Sequence, residues 1–159
     1  MKASEILALW VQENDWSTII LEDCDTLENM SAAEARKYVD ISGDFGESCS
    51  FIINTEAIYS NSRPKITSIY LSCQVNNMSV CLLKLDGGLR INVRGGDNKV
   101  FVGRVGHVFN GDINIWGNSR AIISDGSTCN YARMILHNSS VVIGYDSMLS
   151  DEIIIQSAD

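Results

Sequence analysis

The run Val141-Val142-Ile143-Gly144-Tyr145-Asp146-Ser147-Met148-Leu149-Ser150, continued by Ile153-Ile154-Ile155-Gln156, sets Ile143, Leu149 and Ile155 six residues apart. One unit earlier, Ile123, Cys129 and Ile135 repeat that step, and small Ser127 and Ser147 stand four residues after the first member of each set. Three such steps and a short corner insertion account for one coil of a tube. Each flat face sends a branched apolar side chain inward, and small residues fit the corners. Coils stacked about 4.8 Å apart then satisfy each strand's backbone groups through the coils above and below.

The longer period agrees. Val102 and Ile123 are 21 residues apart, Ile123 and Ile143 are 20 apart, and Ile115, Ile135 and Ile155 follow one another at 20 and 20. Short extended segments such as Arg90-Ile91-Asn92-Val93, Ile113-Asn114-Ile115-Trp116 and Met134-Ile135-Leu136-His137 are each followed by a turn rich in Gly, Asn or Ser. A β-sandwich also turns every few residues, but it has no reason to restore the same apolar positions about every 20 residues. The chain is therefore expected to be mainly β, with a parallel β-helix over residues 85–159 and Ile123, Ile135, Ile143 and Ile155 inside.

Residues 1–84 differ in character. Residues 1–60 carry 12 acidic and 3 basic side chains, whereas residues 61–159 carry 8 and 9, and ten of the twelve glycines lie from Gly87 to Gly144. Ser4 ahead of Glu5-Ile6-Leu7-Ala8-Leu9-Trp10-Val11 predicts a short helix. Ser31-Ala32-Ala33-Glu34 has capping-box spacing and predicts a second, through Ala35-Arg36-Lys37-Tyr38-Val39. Ser50 to Tyr59, Ile66 to Val75 and Met78 to Leu85 predict strands. This part reads as an α+β cap.

Several classes of function are disfavoured. A net charge of -8 offers no broad field attractive to nucleic acid. The stretch from Met1 to Trp10 has neither a basic start nor a long apolar run, so no secretory signal or membrane span is expected, and the location expected is cytoplasmic. Five cysteines, Cys24, Cys49, Cys73, Cys81 and Cys129, contain no C-x-x-C pair and are read as reduced, small apolar side chains. Gly87-Gly88 and Gly95-Gly96 lack the Lys-Ser/Thr of a phosphate loop and are read as corners. Trp10, Trp16 and Trp116 are too scattered for a stacking platform and are expected in core or interface packing, although an outward Trp116 could touch sugar.

The run from Val141 to Ser150, with its "I-G-x-D-x-M-L-S" pattern, resembles the hexapeptide-repeat acyltransferases, in particular the branch that acetylates polysaccharide or capsule sugars. The resemblance covers roughly residues 85–159 and implies a left-handed β-helix. It further implies acetyl-coenzyme A as acyl donor, a sugar or polysaccharide acceptor, and a homotrimer whose active sites lie between neighbouring tubes. In that chemistry a corner histidine takes the proton of a sugar hydroxyl, the oxygen attacks the thioester, and hydrogen-bond donors stabilise the oxyanion.

Carried over residue by residue, the resemblance aligns Asn130-Tyr131, 13 residues before Ile143-Gly144, with the family's Asn-aromatic pair. Asn130 takes the substrate-orienting role, and Tyr131 stands beside it as a substrate-binding residue. The histidine base is implied at position 160 or 161, just past Asp159, so the 159-residue chain is expected to be the inactive N-terminal portion of such an enzyme. His107, in Gly106-His107-Val108, and His137, before Asn138-Ser139-Ser140, are expected to be structural or solvent-facing. The alternative is a non-catalytic β-helix module that binds saccharide or serves assembly. No metal site is expected.

Overall fold

Two apolar patterns in the chain correspond to two environments. Phe51-Ile52-Ile53, Val80-Cys81-Leu82-Leu83 and Val100-Phe101-Val102 are continuous apolar runs, whereas Leu89-Arg90-Ile91-Asn92-Val93-Arg94 alternates. A strand covered on both faces reads as the first kind and a strand with one wet face as the second. The computed structural model describes residues 2–10, 27–46, 48–55, 67–71, 75–84 and 86–157, and it separates these patterns into two sheets.

The elements begin with α1 (Ala3–Ala8), β1 (Leu27–Met30), α2 (Ala32–Ala35), β2 (Asp40–Ser42), β3 (Ser50–Asn54), β4 (Thr67–Leu71) and β5 (Ser79–Lys84). There follow β6 (Leu89–Arg94), β7 (Lys99–Arg104), β8 (Phe109–Trp116), β9 (Arg120–Ile123), β10 (Thr128–His137), β11 (Ser140–Ile143), β12 (Met148–Leu149) and β13 (Ile153–Gln156). The first sheet runs β1-β3-β5-β7-β9-β11, and the second runs β12-β10-β8-β6-β4-β2, with β13 also on β10. Consecutive strands from β1 to β12 alternate between the sheets, and every described pair is parallel except β1 with β3. The protein is thus a mainly β solenoid of stacked parallel coils. The antiparallel β1 covers one edge of the first sheet, where open backbone groups would otherwise offer a pairing template.

The expected spacing is met where Val102 pairs with Ile123 and Ile123 with Ile143, all three buried. It fails at Ile135. The partner of Ile115 is Leu136, and the partner of Ile155 is Met134; Ile135 lies opposite Asn114, so its side chain faces outward and is only half-buried. The cause is a shift in register between Cys129 and Ala132, where Asn130 and Tyr131 together oppose the single residue Asn110. One extra residue reverses the in-out alternation beyond it. In the last coil the step of six holds: Ile143 is buried, and Leu149 and Ile155 pack against the core. That coil shows three separate short strands, β11, β12 and β13, while in the coil before it the second and third are joined as β10.

The expected boundary between residues 84 and 85 falls between β5 and β6, which lie in the same stack: β4 pairs with β6 and β5 with β7. The N-terminal elements cover this stack. Ile6, Leu7 and Trp10 pack on the outer side of the first sheet against Ile52, Cys81, Phe101 and Ile122, with Trp10 edge-on to Phe101 at 6.5 Å. Burial of each such side chain contributes about 1.5–3 kcal/mol. This second cluster explains the continuous apolar runs, because Phe51 and Ile53 face the coil interior while Ile52 faces the helix.

Both predicted helices form, and both are shorter than the sequence suggests. The N-cap of α1 is Lys2, not Ser4, and the Lys2 amide donates to the Glu5 carboxylate at 3.0 Å. At α2 the capping box is complete: Ser31 N–H donates to Glu34 at 2.9 Å and Glu34 N–H to Ser31 Oγ at 3.3 Å. Helix α2 ends at Ala35 because Val39 is buried in the core and β2 begins directly after it.

The corners follow the expected chemistry. Gly87 has φ +122°, and a Cβ there would lie 2.5 Å from the Phe109 carbonyl oxygen, so no side chain fits. Buried Ser127 donates to the Gly144 carbonyl at 3.0 Å. Asp97, Asn118 and Asn138 hold left-handed backbone at φ 60°, 53° and 47°, which short polar residues tolerate best after glycine. Cys81 and Cys129 are buried free thiols, and half-buried Cys49 donates to the Val75 carbonyl. Cys24, Cys73, Trp16 and Asp159 lie outside the described residues. Among those described, no helix is long and apolar enough to cross a membrane.

Candidate functional site on the outer face of the second sheet

With α1 over the first sheet, the outer side of the second sheet is the broad face that alternation leaves polar. Residues that point outward line up across the coils because the strands are parallel and in register. Tyr70 on β4 lies beside Asn92 on β6, Asn92 beside Asn114 on β8, and Asn114 beside Ile135 on β10. Arg94, Trp116 and His137 form the next column, and Arg90, Asp112 and Arg133 the column on the other side.

These columns create a cavity of about 250 Å³ lined by Tyr70, Asn92, Arg94, Asn114 and Trp116. Its floor is an amide ladder. Asn92 Nδ2 donates to Asn114 Oδ1 at 2.9 Å, and Asn114 Nδ2 donates onward to the Met134 carbonyl at 3.4 Å. Identical amides one strand spacing apart bond in this way along the coil axis. At one side the Arg94 guanidinium lies 5.7 Å from the centre of the Trp116 ring, a cation–π arrangement that orients a long, mobile side chain. Trp116 is therefore outward and half-buried, in contact with solvent as well as with Arg94.

A second cluster lies further back on the same face. Tyr131 Oη donates to Asp112 Oδ2 at 2.6 Å, and Arg90 approaches the other carboxylate oxygen at 3.7 Å. Arg90 is largely exposed, so the ion pair itself contributes little. The short hydroxyl–carboxylate bond holds the Tyr131 ring in place. Asn130 precedes it in the bulge with its side chain exposed. Bulges re-aim side chains out of the pleat, which is how two adjacent residues both reach solvent here.

Neither histidine lines the cavity, although His137 pairs in register with Trp116 on the same face. His107 is exposed in the turn between β7 and β8, and His137 is exposed at the end of β10. Among the described residues, no three His, Cys, Asp or Glu side chains gather in a way that could hold a metal ion. Cys129 is enclosed in the core, and that burial, with the charge of Asp151 as a lesser cause, pushes its thiol above its ordinary value.

Of the residues singled out from the sequence, Asn130 and Tyr131 are thus together and accessible. The sequence reading missed Asp112, Tyr70, Asn92, Arg94 and Asn114. The signal available was the strict alternation of β6 and β8, which puts every second residue on one face; it becomes a site only when register sets the coils side by side. No protein-family model, curated protein or solved structure matches this chain.

Proposed function

We propose that these coils belong to an acetyl-coenzyme A-dependent O-acetyltransferase that modifies a sugar or polysaccharide precursor in the cytoplasm. One observation carries the reading: the Asn-aromatic pair implied by the resemblance stands accessible in a bulge, on the coil directly before the Ile143-Gly144 run. The solenoid fold supports it in a general way, since stacked coils with a six-residue step are the architecture of the hexapeptide-repeat enzymes.

In this reading the Asn130 amide orients the acceptor hydroxyl, and the bond from Tyr131 to Asp112 fixes the neighbouring ring. In the family's chemistry a histidine takes the hydroxyl proton. The sugar oxygen attacks the thioester carbonyl, the C–S bond breaks, and the departing sulfur receives the proton from the histidine. A homotrimer would complete each site with residues of a neighbouring tube.

The test is a thioester-cleavage assay with acetyl-coenzyme A and candidate sugars. It compares the 159-residue chain with a version continued through its reading frame. The continued version is expected to turn over, and Asn130→Ala to lower its rate about tenfold or more while thermal stability stays unchanged. Asn138→Gly is the control. Glycine is used there in place of alanine because Asn138 has left-handed backbone, where alanine would add strain. A continued chain that binds sugar but cleaves no thioester overturns the proposal in favour of a non-catalytic module.

A further inference from the structure

We infer that the cavity between Tyr70, Asn92, Arg94, Asn114 and Trp116 binds a saccharide unit that carries a carboxylate. The site is distinct from the Asn130–Tyr131 bulge and does not rest on acetyl transfer.

The polar groups that face this cavity are incompletely used. Among the described residues the Tyr70 hydroxyl, Asn92 Oδ1 and the Trp116 indole N–H have no hydrogen-bond partner, and Arg94 has no carboxylate partner. This collection contains a hydroxyl, an amide acceptor, a ring N–H and a guanidinium, beside two aromatic rings. Such a mixture matches a sugar, whose ring presents hydroxyls around its edge and C–H groups on its faces. The cavity, at about 250 Å³, is smaller than the roughly 300–1,000 Å³ of sites that enclose a drug-sized ligand, which points to one ring.

The carboxylate follows from Arg94. A guanidinium presents donors in a planar fork that fits a carboxylate bidentately, and stacking on Trp116 already restricts its motion. Asp112, the acid on the same strand as Asn114 and Trp116, is engaged by Tyr131 and Arg90 and so does not neutralise Arg94. The acidic surplus lies in residues 1–60 while residues 61–159 are near balance, so attraction for an acidic sugar has to come from a local cation such as Arg94. Neutral sugars would use the amides and rings but leave the guanidinium idle.

The experiment titrates the 159-residue chain with tri-galacturonate and tri-mannuronate, and with their carboxyl-reduced counterparts, following heat and tryptophan fluorescence without acetyl-coenzyme A. Saturable binding of at least one acidic trisaccharide is expected, weakening as salt rises. Arg94→Gln should lower that affinity about tenfold and erase the preference over the reduced form. Asn92→Asp should also weaken the acidic form selectively, by placing a like charge in the cavity. Trp116→Leu should weaken both forms, and Arg133→Gln, on the same face outside the cavity, should leave both unchanged. Each variant is first shown to melt like the parent. Failure of both acidic probes to saturate, or unchanged binding by Arg94→Gln, overturns the inference; a null result in the acetyl-transfer assay does not touch it.

Discussion

Asn98 and Ser119 join two successive corners on one side of the cavity: the Ser119 amide donates to Asn98 Oδ1 at 3.2 Å in a wholly buried position. Asn98 Nδ2 in turn donates to the carbonyls of Arg94 and Gly95, each at 3.1 Å. Ser119 Oγ donates to the Trp116 carbonyl at 2.6 Å. The backbone of Arg94 and that of Trp116 are thus tied to one buried staple, which sets the spacing of the stacked pair above it. Asn98→Ala leaves the Ser119 N–H unsatisfied and should cost about 1–3 kcal/mol in urea denaturation. Asn98→Asp should be no better, because a carboxylate cannot donate to the two carbonyls.

The outward turn of Ile135 gives a paired test of the register. Ile143→Asp buries a carboxylate without a partner inside the coil and should cost several kcal/mol, enough to unfold the stack. Ile135→Asp points to solvent between Asn114 and Gln156 and should shift stability by roughly 1 kcal/mol or less. Thermal melts of the two variants decide it, and equal losses would contradict the bulge at Asn130–Tyr131.

At α2 the Ser31 amide, and with it the Ser31 hydroxyl, holds the Glu34 carboxyl below its ordinary value. Because the folded value is the lower one, the stabilisation is present above the unfolded value and is lost as the pH falls through the folded value. Glu34→Gln should therefore melt below the parent at pH 7, and the gap should close as the pH drops below about 4. A gap that persists in acid would mean that the carboxylate charge has no part in the cap.

Thiol reactivity should follow burial. Cys49 is half-buried, whereas Cys81 and Cys129 are enclosed and Cys129 is further held protonated. Alkylation followed by peptide mass mapping should mark Cys49 well before Cys81 and Cys129 in the folded chain. In urea all three should react at similar rates.

Much of the coil stack was legible in the residues themselves. Val102, Ile123 and Ile143 occupy the equivalent positions their spacing suggests, and the corner serines and Gly87 lie where small or permissive residues are needed. What misled was the equal spacing of Ile115, Ile135 and Ile155. Isoleucine inside and isoleucine outside look alike in a sequence, and a bulge of one residue carries no signal of its own when both of its residues are polar or aromatic.

The sequence by itself determined the period, the parallel stacking it demands, and the division of strands into continuous and alternating apolar runs, because burial selects residue type one position at a time. The site was decided by tertiary structure alone. Tyr70, Asn92 and Asn114 are more than 20 residues apart in succession, and only strand register makes them neighbours. Which face α1 covers was likewise settled by packing, its Ile6, Leu7 and Trp10 lying on Phe101 and Ile122 of the first sheet. Covering one sheet removes it from water, a choice that depends on long-range packing and not on any local run of residues.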